Sequence, residues 1–285
     1  MKCCYRLLFC LLFLPAVLFP SALHSQELER DITFCKVDGV DLQMNLARPS
    51  QGTGPFPALL FIHGGGWMSG DREEFDEPAR EAARRGYVAV TVDYRLTNVI
   101  NSGKTKYLFP SQLYDVKAAV RWLRSNSEKY HIRKDRIGAF GYSAGGHLAL
   151  LLGLTKPSDG LEGDVSENDS SIQAVVSCGG QTDLSSCPAS SAYKIGKLLG
   201  GSPAEVPDAY AKASPVNYVR NDSPPTLIIT GEMDRDVPAE QARLLDRKMT
   251  EVGATHLLIV RPLAGHVMFS SEPEIWDFLD RYLKG

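Results

Sequence analysis

The 285 residues predict an α/β domain: a mostly parallel central sheet of about eight strands with helices on both faces. Three observations carry this. Strand-length apolar runs such as Ala58-Leu59-Leu60-Phe61-Ile62 and Tyr87-Val88-Ala89-Val90-Thr91-Val92 lack the apolar/polar alternation of a half-exposed sheet, so both of their faces are covered. From Ala58 onward such runs alternate with segments of helical periodicity, the order that produces parallel strands joined by crossover helices. Gly141-Tyr142-Ser143-Ala144-Gly145 joins an apolar strand directly to an apolar helix, a sharp turn that lifts one serine above the end of the sheet.

The elements follow in order. Residues 32–37 and 40–47 flank Asp38-Gly39, a hairpin-turn pair. A Gly/Pro-rich loop leads to the strand 58–62, which runs straight into His63-Gly64-Gly65-Gly66-Trp67. A helix over about 75–85 stops at Gly86, and the strand 87–92 follows. After a loop over 93–108, Leu113, Val116, Val120 and Leu123 recur at helical spacing up to about Ser127. The strand 136–140 carries the serine turn, and the helix behind it ends near Leu154. Beyond the polar loop 156–171 lie strands over 172–177, 226–230 and 256–260, a helix over 238–252 and a final helix over 272–283. Residues 181–223, rich in Ser, Pro, Ala and Gly with weak helical signals at about 190–199 and 207–212, read as a short inserted cap segment.

Residues 1–25 read as a separate object. Lys2 and Arg6 precede an apolar run from Leu7 to Phe19, then Pro20-Ser21-Ala22-Leu23-His24-Ser25, the layout of a secretory signal peptide cleaved after Ser25 or Ala22. The run is short for a membrane span, which needs roughly 20 apolar residues, so no stable membrane insertion is expected after cleavage; an uncleaved N-terminal anchor is the alternative. The α/β domain is then 26–285, expected to be secreted or periplasmic. Cys35, Cys178 and Cys187 remain in it. Cys178 and Cys187 are close enough in sequence to pair in an oxidising compartment, or all three are small buried apolar residues. A formal charge of −3 without a basic run argues against nucleic acid as a partner. No Cys/His cluster has metal-ligand spacing, and no cofactor is expected.

A serine hydroxyl needs a base within hydrogen-bond reach before it can attack. His131 and His256 precede strands and lie at the wrong end of the sheet, because working residues in such folds sit beyond the carboxyl ends. His147 reads as a packing residue and His63 as a loop former. His266, in the loop after the last strand, is at the right end. The base in turn needs a carboxylate. Gly231-Glu232-Met233-Asp234-Arg235-Asp236-Val237-Pro238 offers three. Asp234 is the choice, Asp236 its main competitor with a helix-capping alternative, and Glu232 the third. The order Ser143, Asp234, His266 is that of an α/β-hydrolase. A glycine triplet alone is equally a flexible loop. With the other three elements in register, its backbone N–H groups, joined by that of Ala144, suit an oxyanion.

The pair His63-Gly64-Gly65-Gly66-Trp67 and Gly141-Tyr142-Ser143-Ala144-Gly145-Gly146 resembles the hormone-sensitive-lipase-like branch of the α/β-hydrolases. It also resembles the secreted bacterial esterases known as BD-FAE, bifunctional feruloyl and acetyl xylan esterases. Phe109-Pro110-Ser111-Gln112-Leu113-Tyr114-Asp115-Val116, Ala213-Ser214-Pro215 and 231–238 resemble that group too. The resemblance implies an α/β-hydrolase fold, ester hydrolysis through an acyl-enzyme, and Gly65 and Gly66 as oxyanion donors. The hormone-sensitive-lipase-like branch usually carries a long N-terminal helical cap, whereas 26–57 read as strands and loop, which favours the more open secreted group. Esters borne by plant polysaccharide are the implied substrates. Lipid or small-molecule esters, a peptidase of the prolyl-oligopeptidase kind, and a non-catalytic binding protein are the alternatives.

Overall fold

The structure is a computed structural model that describes residues 27–99, 105–164 and 168–285. The reading of 1–25 as a signal peptide lies outside them. The chain begins with β1 (Leu28–Val37) and β2 (Val40–Ala47), joined at Asp38 and Gly39, both of which take positive φ. Then come β3 (Phe56–Ile62), α1 (Asp76–Arg84) and β4 (Val88–Val92). The loop after β4 folds into a small hairpin, β5 (Asn98–Val99) and β6 (Thr105–Lys106). Next are α2 (Ser111–Ser125), the one-turn α3 (Ser127–Tyr130), β7 (Ile132–Tyr142) and α4 (Ala144–Leu154). β8 (Ala174–Cys178), α5 (Ala189–Leu199), α6 (Pro207–Ala213), β9 (Thr226–Gly231), α7 (Ala239–Val252), β10 (His256–Arg261) and α8 (Pro273–Leu279) complete the fold. α8 runs on into a wider turn to Lys284.

The sheet runs β1-β2-β4-β3-β7-β8-β9-β10. β2 is antiparallel to both its neighbours and the other contacts are parallel, so β3, β7, β8, β9 and β10 all end on one rim. The apolar runs are explained by burial on both faces. Along β3, Ala58, Leu60 and Ile62 enter a core shared with α2, α4 and α7, while Leu59 and Phe61 face α1 and α8 on the opposite side. Each of the leucine, isoleucine and phenylalanine side chains among them stabilises the fold by about 1.5–3 kcal/mol relative to exposure.

β7 is longer than its apolar stretch suggests. Ile132 to Arg136 extend its start: Ile132 is buried in the core and pairs with Phe56 across a register shift, whereas Lys134 and Asp135 are exposed. α4 is buried on all sides apart from Gly153, because the 181–223 segment closes over the face that the sheet leaves open. A hydrogen bond from His147 to the Ala213 carbonyl fixes α6 upon it. The weak helical signals of that segment become α5 and α6. Cys178 and Cys187 are both free thiols, which settles that alternative against a disulfide. Cys178 ends a core strand and Cys187 follows a tight turn, its thiol directed to the Asp183 carbonyl.

Candidate active site

At the turn from β7 into α4, Ser143 takes φ 53° and ψ −120°, a conformation that side chains rarely tolerate. The glycines around it explain how it is held. A Cβ on Gly145 would stand 2.0 Å from the Ile62 carbonyl oxygen, and one on Gly141 2.0 Å from that of Gly145. Strand, helix and the end of β3 therefore touch backbone to backbone. The Ser143 N–H donates to the Cys178 carbonyl at 2.8 Å, fixing the turn to β8 as well.

His266 and Asp234 converge on this serine. The His266 Nε2 lies 2.9 Å from Ser143 Oγ, and its Nδ1 lies 2.6 Å from Asp234 Oδ2. A carboxylate facing Nδ1 sets the tautomer: Nδ1 carries the proton and Nε2 accepts from the serine hydroxyl. The other Asp234 oxygen accepts from the backbone N–H groups of Asp236 and Val237, at 2.9 and 2.8 Å. The Asp234 side chain is 1 % exposed and that of His266 16 %, so the carboxylate is sealed while the imidazole faces the opening. Asp236 contributes its backbone N–H to Asp234, and its exposed side chain lies at the cleft. Glu232 pairs with Arg243. Of the three acids, only Asp234 meets the imidazole.

The glycine triplet leaves β3 beside the elbow. Gly65 takes φ +95°, and a Cβ there would stand 2.1 Å from the Ser69 carbonyl. The turn is closed by Met68 and Ser69 N–H groups on the Gly65 carbonyl. Tyr94 braces it from behind: its hydroxyl bonds the carbonyls of His63 and Gly64 at 3.1 and 3.0 Å, and its ring stacks on His63. His63 donates Nδ1–H to the Gly64 carbonyl, and burial lowers its pKa, so it is a neutral part of the loop. Gly65 and Gly66 line the cleft over Ser143, and Ala144 is the first residue of α4.

His147 is fixed elsewhere. Its Nε2–H donates to the Ala213 carbonyl at 2.7 Å, and its Nδ1 accepts from Trp67 Nε1 at 3.2 Å. Complete burial pushes its pKa down to about 4. His256 bonds Asp246 at the opposite end of the sheet.

The cleft above Ser143 has a volume of about 240 Å³. Trp67, Tyr142, Gln181, Ser190, Ser191 and Lys194 are among its walls. The last four come from the inserted segment, and no motif singles them out, because their placement depends on how that segment folds back. The stem of Lys194 comes so near Gly66 that a Cβ there would be 2.6 Å from its Cδ. Among the aromatic residues near the site, Trp67 and Tyr142 reach the cleft, Tyr94 is buried behind the glycine loop, and Tyr193 is 65 % exposed and does not line it.

Comparisons with known proteins relate the chain to esterases. The family model BD-FAE matches residues 44–249. Esterase LipC of Mycobacterium tuberculosis is 31 % identical over 228 residues, covering 77 % of this chain and 55 % of LipC. The chain spans about half the length of the curated relatives it matches. Among solved structures, a truncated carbohydrate esterase from gut microbiota superposes with a TM-score of 0.77 at 26 % identity, over 93 % of this chain and 99 % of that one. The apo form of Thermogutta terrifontis esterase 2 does so with a TM-score of 0.71 at 26 % identity, over 92 % and 94 %.

Proposed function

The chain belongs to the BD-FAE family of the α/β-hydrolases, and from that premise we propose that it hydrolyses carboxylic esters with Ser143 as nucleophile, His266 as general base and acid, and Asp234 as the orienting carboxylate. The observation that carries the reading is the hydrogen-bonded line from Asp234 through His266 to the strained Ser143, at 2.6 and 2.9 Å. Ser143 Oγ attacks the ester carbon as His266 Nε2 takes its proton. The tetrahedral oxygen is received by backbone N–H groups of Gly65, Gly66 and Ala144, each such donor contributing on the order of 3 kcal/mol in the transition state. His266 then gives the proton to the leaving alcohol, and water repeats the attack on the acyl group. Asp234 stabilises the imidazolium formed in each half-reaction without itself taking the proton.

The cleft narrows the substrate. Its walls are short of apolar surface: Gln181, Ser190, Ser191, Lys194 and Asp236 stand where a lipase would need a greasy channel. A small acyl group on a polar alcohol fits, which favours acetyl esters on polysaccharide over lipid esters, with feruloyl esters the bulkier alternative that the test must decide. With residues 1–25 read as a secretory signal, the substrate is extracytoplasmic. The test is release of acetate and ferulate from acetylated and feruloylated xylan, alongside a series of p-nitrophenyl esters. The expected result is release from xylan and a steep fall in kcat/KM from acetate to octanoate. A preference for octanoate with no release from xylan would overturn the substrate reading and leave the ester chemistry standing.

A further inference from the structure

We infer that Cys178 is a positioning residue, one that ties the loop bearing His266 to the strand end against which Ser143 is fixed. Two sets of contacts from this one residue carry the inference. Its carbonyl accepts the Ser143 N–H at 2.8 Å. Its thiol reaches the residues just past His266: Sγ donates to the Val267 carbonyl at 3.4 Å and accepts from the Phe269 N–H at 3.4 Å. Nucleophile and base thus share an anchor on β8.

The loop has need of one. It follows β10 with Leu263 86 %, Val267 46 % and Met268 38 % exposed, and apolar packing resumes only at the partly buried Phe269. Beside the bonds of the His266 side chain to Asp234 and Ser143, the loop's ties to the sheet side of the site include the Met233 N–H on the Ala264 carbonyl at 2.8 Å and the Tyr142 hydroxyl on the His266 carbonyl at 3.1 Å. Both precede or meet the histidine, and the Cys178 thiol alone among these secures the chain just beyond it. Burial pushes the thiol up to about 12, so it stays protonated and can act as donor and acceptor together. A weak pair of sulfur bonds suffices, because misplacing a catalytic group by about 1 Å can cost roughly a hundredfold in rate.

This rests on the proposed role of His266, and the experiment separates the two. Cys178→Ala, Cys178→Val and Cys178→Ser are compared with the parent and with Ser143→Ala on p-nitrophenyl acetate, with thermal stability measured for each. Alanine removes both thiol bonds, valine removes them while refilling the volume, and serine restores a donor and an acceptor. Alanine and valine are expected to lower kcat about tenfold with KM within about twofold, and serine to recover most of the loss. Alanine and valine variants within about twofold of the parent in kcat would overturn the positioning role. So would losses that follow thermal stability across the three variants with serine no better than valine. If Ser143→Ala keeps its activity, the assignment of the nucleophile falls instead.

Discussion

Two imidazoles lie within reach of the elbow, and each has both ring nitrogens hydrogen-bonded. His147 is on α4, one turn past Ser143, and His266 is on a loop far along the chain. The nearer is sealed between a carbonyl and an indole N–H, which together hold it in one neutral tautomer. The farther has a carboxylate on one side and the serine hydroxyl on the other, and opens to the cleft. Protonation of His147 would strand an imidazolium among groups that cannot compensate it, whereas His266 has an anion in place to receive that charge. The partner of the far nitrogen, more than proximity to the serine, separates a structural imidazole from one that can act as a base.

Substitutions test this contrast in order of effect. His266→Ala should lower kcat for p-nitrophenyl acetate by roughly 10⁶-fold, as should Ser143→Ala, with circular dichroism and melting temperature nearly unchanged. A surviving rate within tenfold of the parent would end the assignment. Asp234→Asn should lower kcat by about 10⁴-fold, because the amide can hold His266 in the wrong tautomer. Asp236→Asn is its control and should stay within about threefold, since the contact made to Asp234 is through the Asp236 backbone N–H.

His147→Leu should reverse the pattern. It leaves the Trp67 indole N–H and the Ala213 carbonyl unpaired, a destabilisation on the order of 3 kcal/mol in urea unfolding, with kcat within about threefold. The same side chain gives a pH signature. With its native pKa at about 4 against the 6.5 of a free imidazole, the unfolded chain binds the proton more readily. Its contribution to stability is therefore complete above about pH 6.5 and is lost as pH falls towards about 4, roughly 3 kcal/mol over that window. The leucine variant should lack that part of the slope, and an unchanged slope would contradict the neutral buried state.

The fold and the meeting of Ser143, Asp234 and His266 were legible for a local reason. Each residue is defined by its place just past an apolar strand, and parallel topology brings such places together. Asp234 could be preferred to Asp236 but not separated from it, because that distinction lies in which of two nearby side chains turns inward. The start of β7 was hidden by Arg133, Lys134 and Asp135, a charged run that is half-buried to exposed between the buried Ile132 and Ile137. Cys178 was read by its nearness in sequence to Cys187, whereas its structural partners, Val267 and Phe269, lie far along the chain. Its position at the carboxyl end of a strand beside the elbow was the available signal. Ser190, Ser191 and Lys194 sit on a helix whose amphipathic pattern marks only Ile195, Leu198 and Leu199 as buried.

That last division has a consequence for how the protein can change. The groups proposed to carry out the reaction hang from strands packed into two cores, where most replacements disturb the whole molecule. One wall of the cleft hangs from α5, a surface helix with three buried side chains. Residues on its cleft side can be exchanged without touching β7, β9 or β10. Substrate range and reaction chemistry are thus separately heritable traits: a lineage can drift from one ester to another through α5 while Ser143, Asp234 and His266 stay where they are.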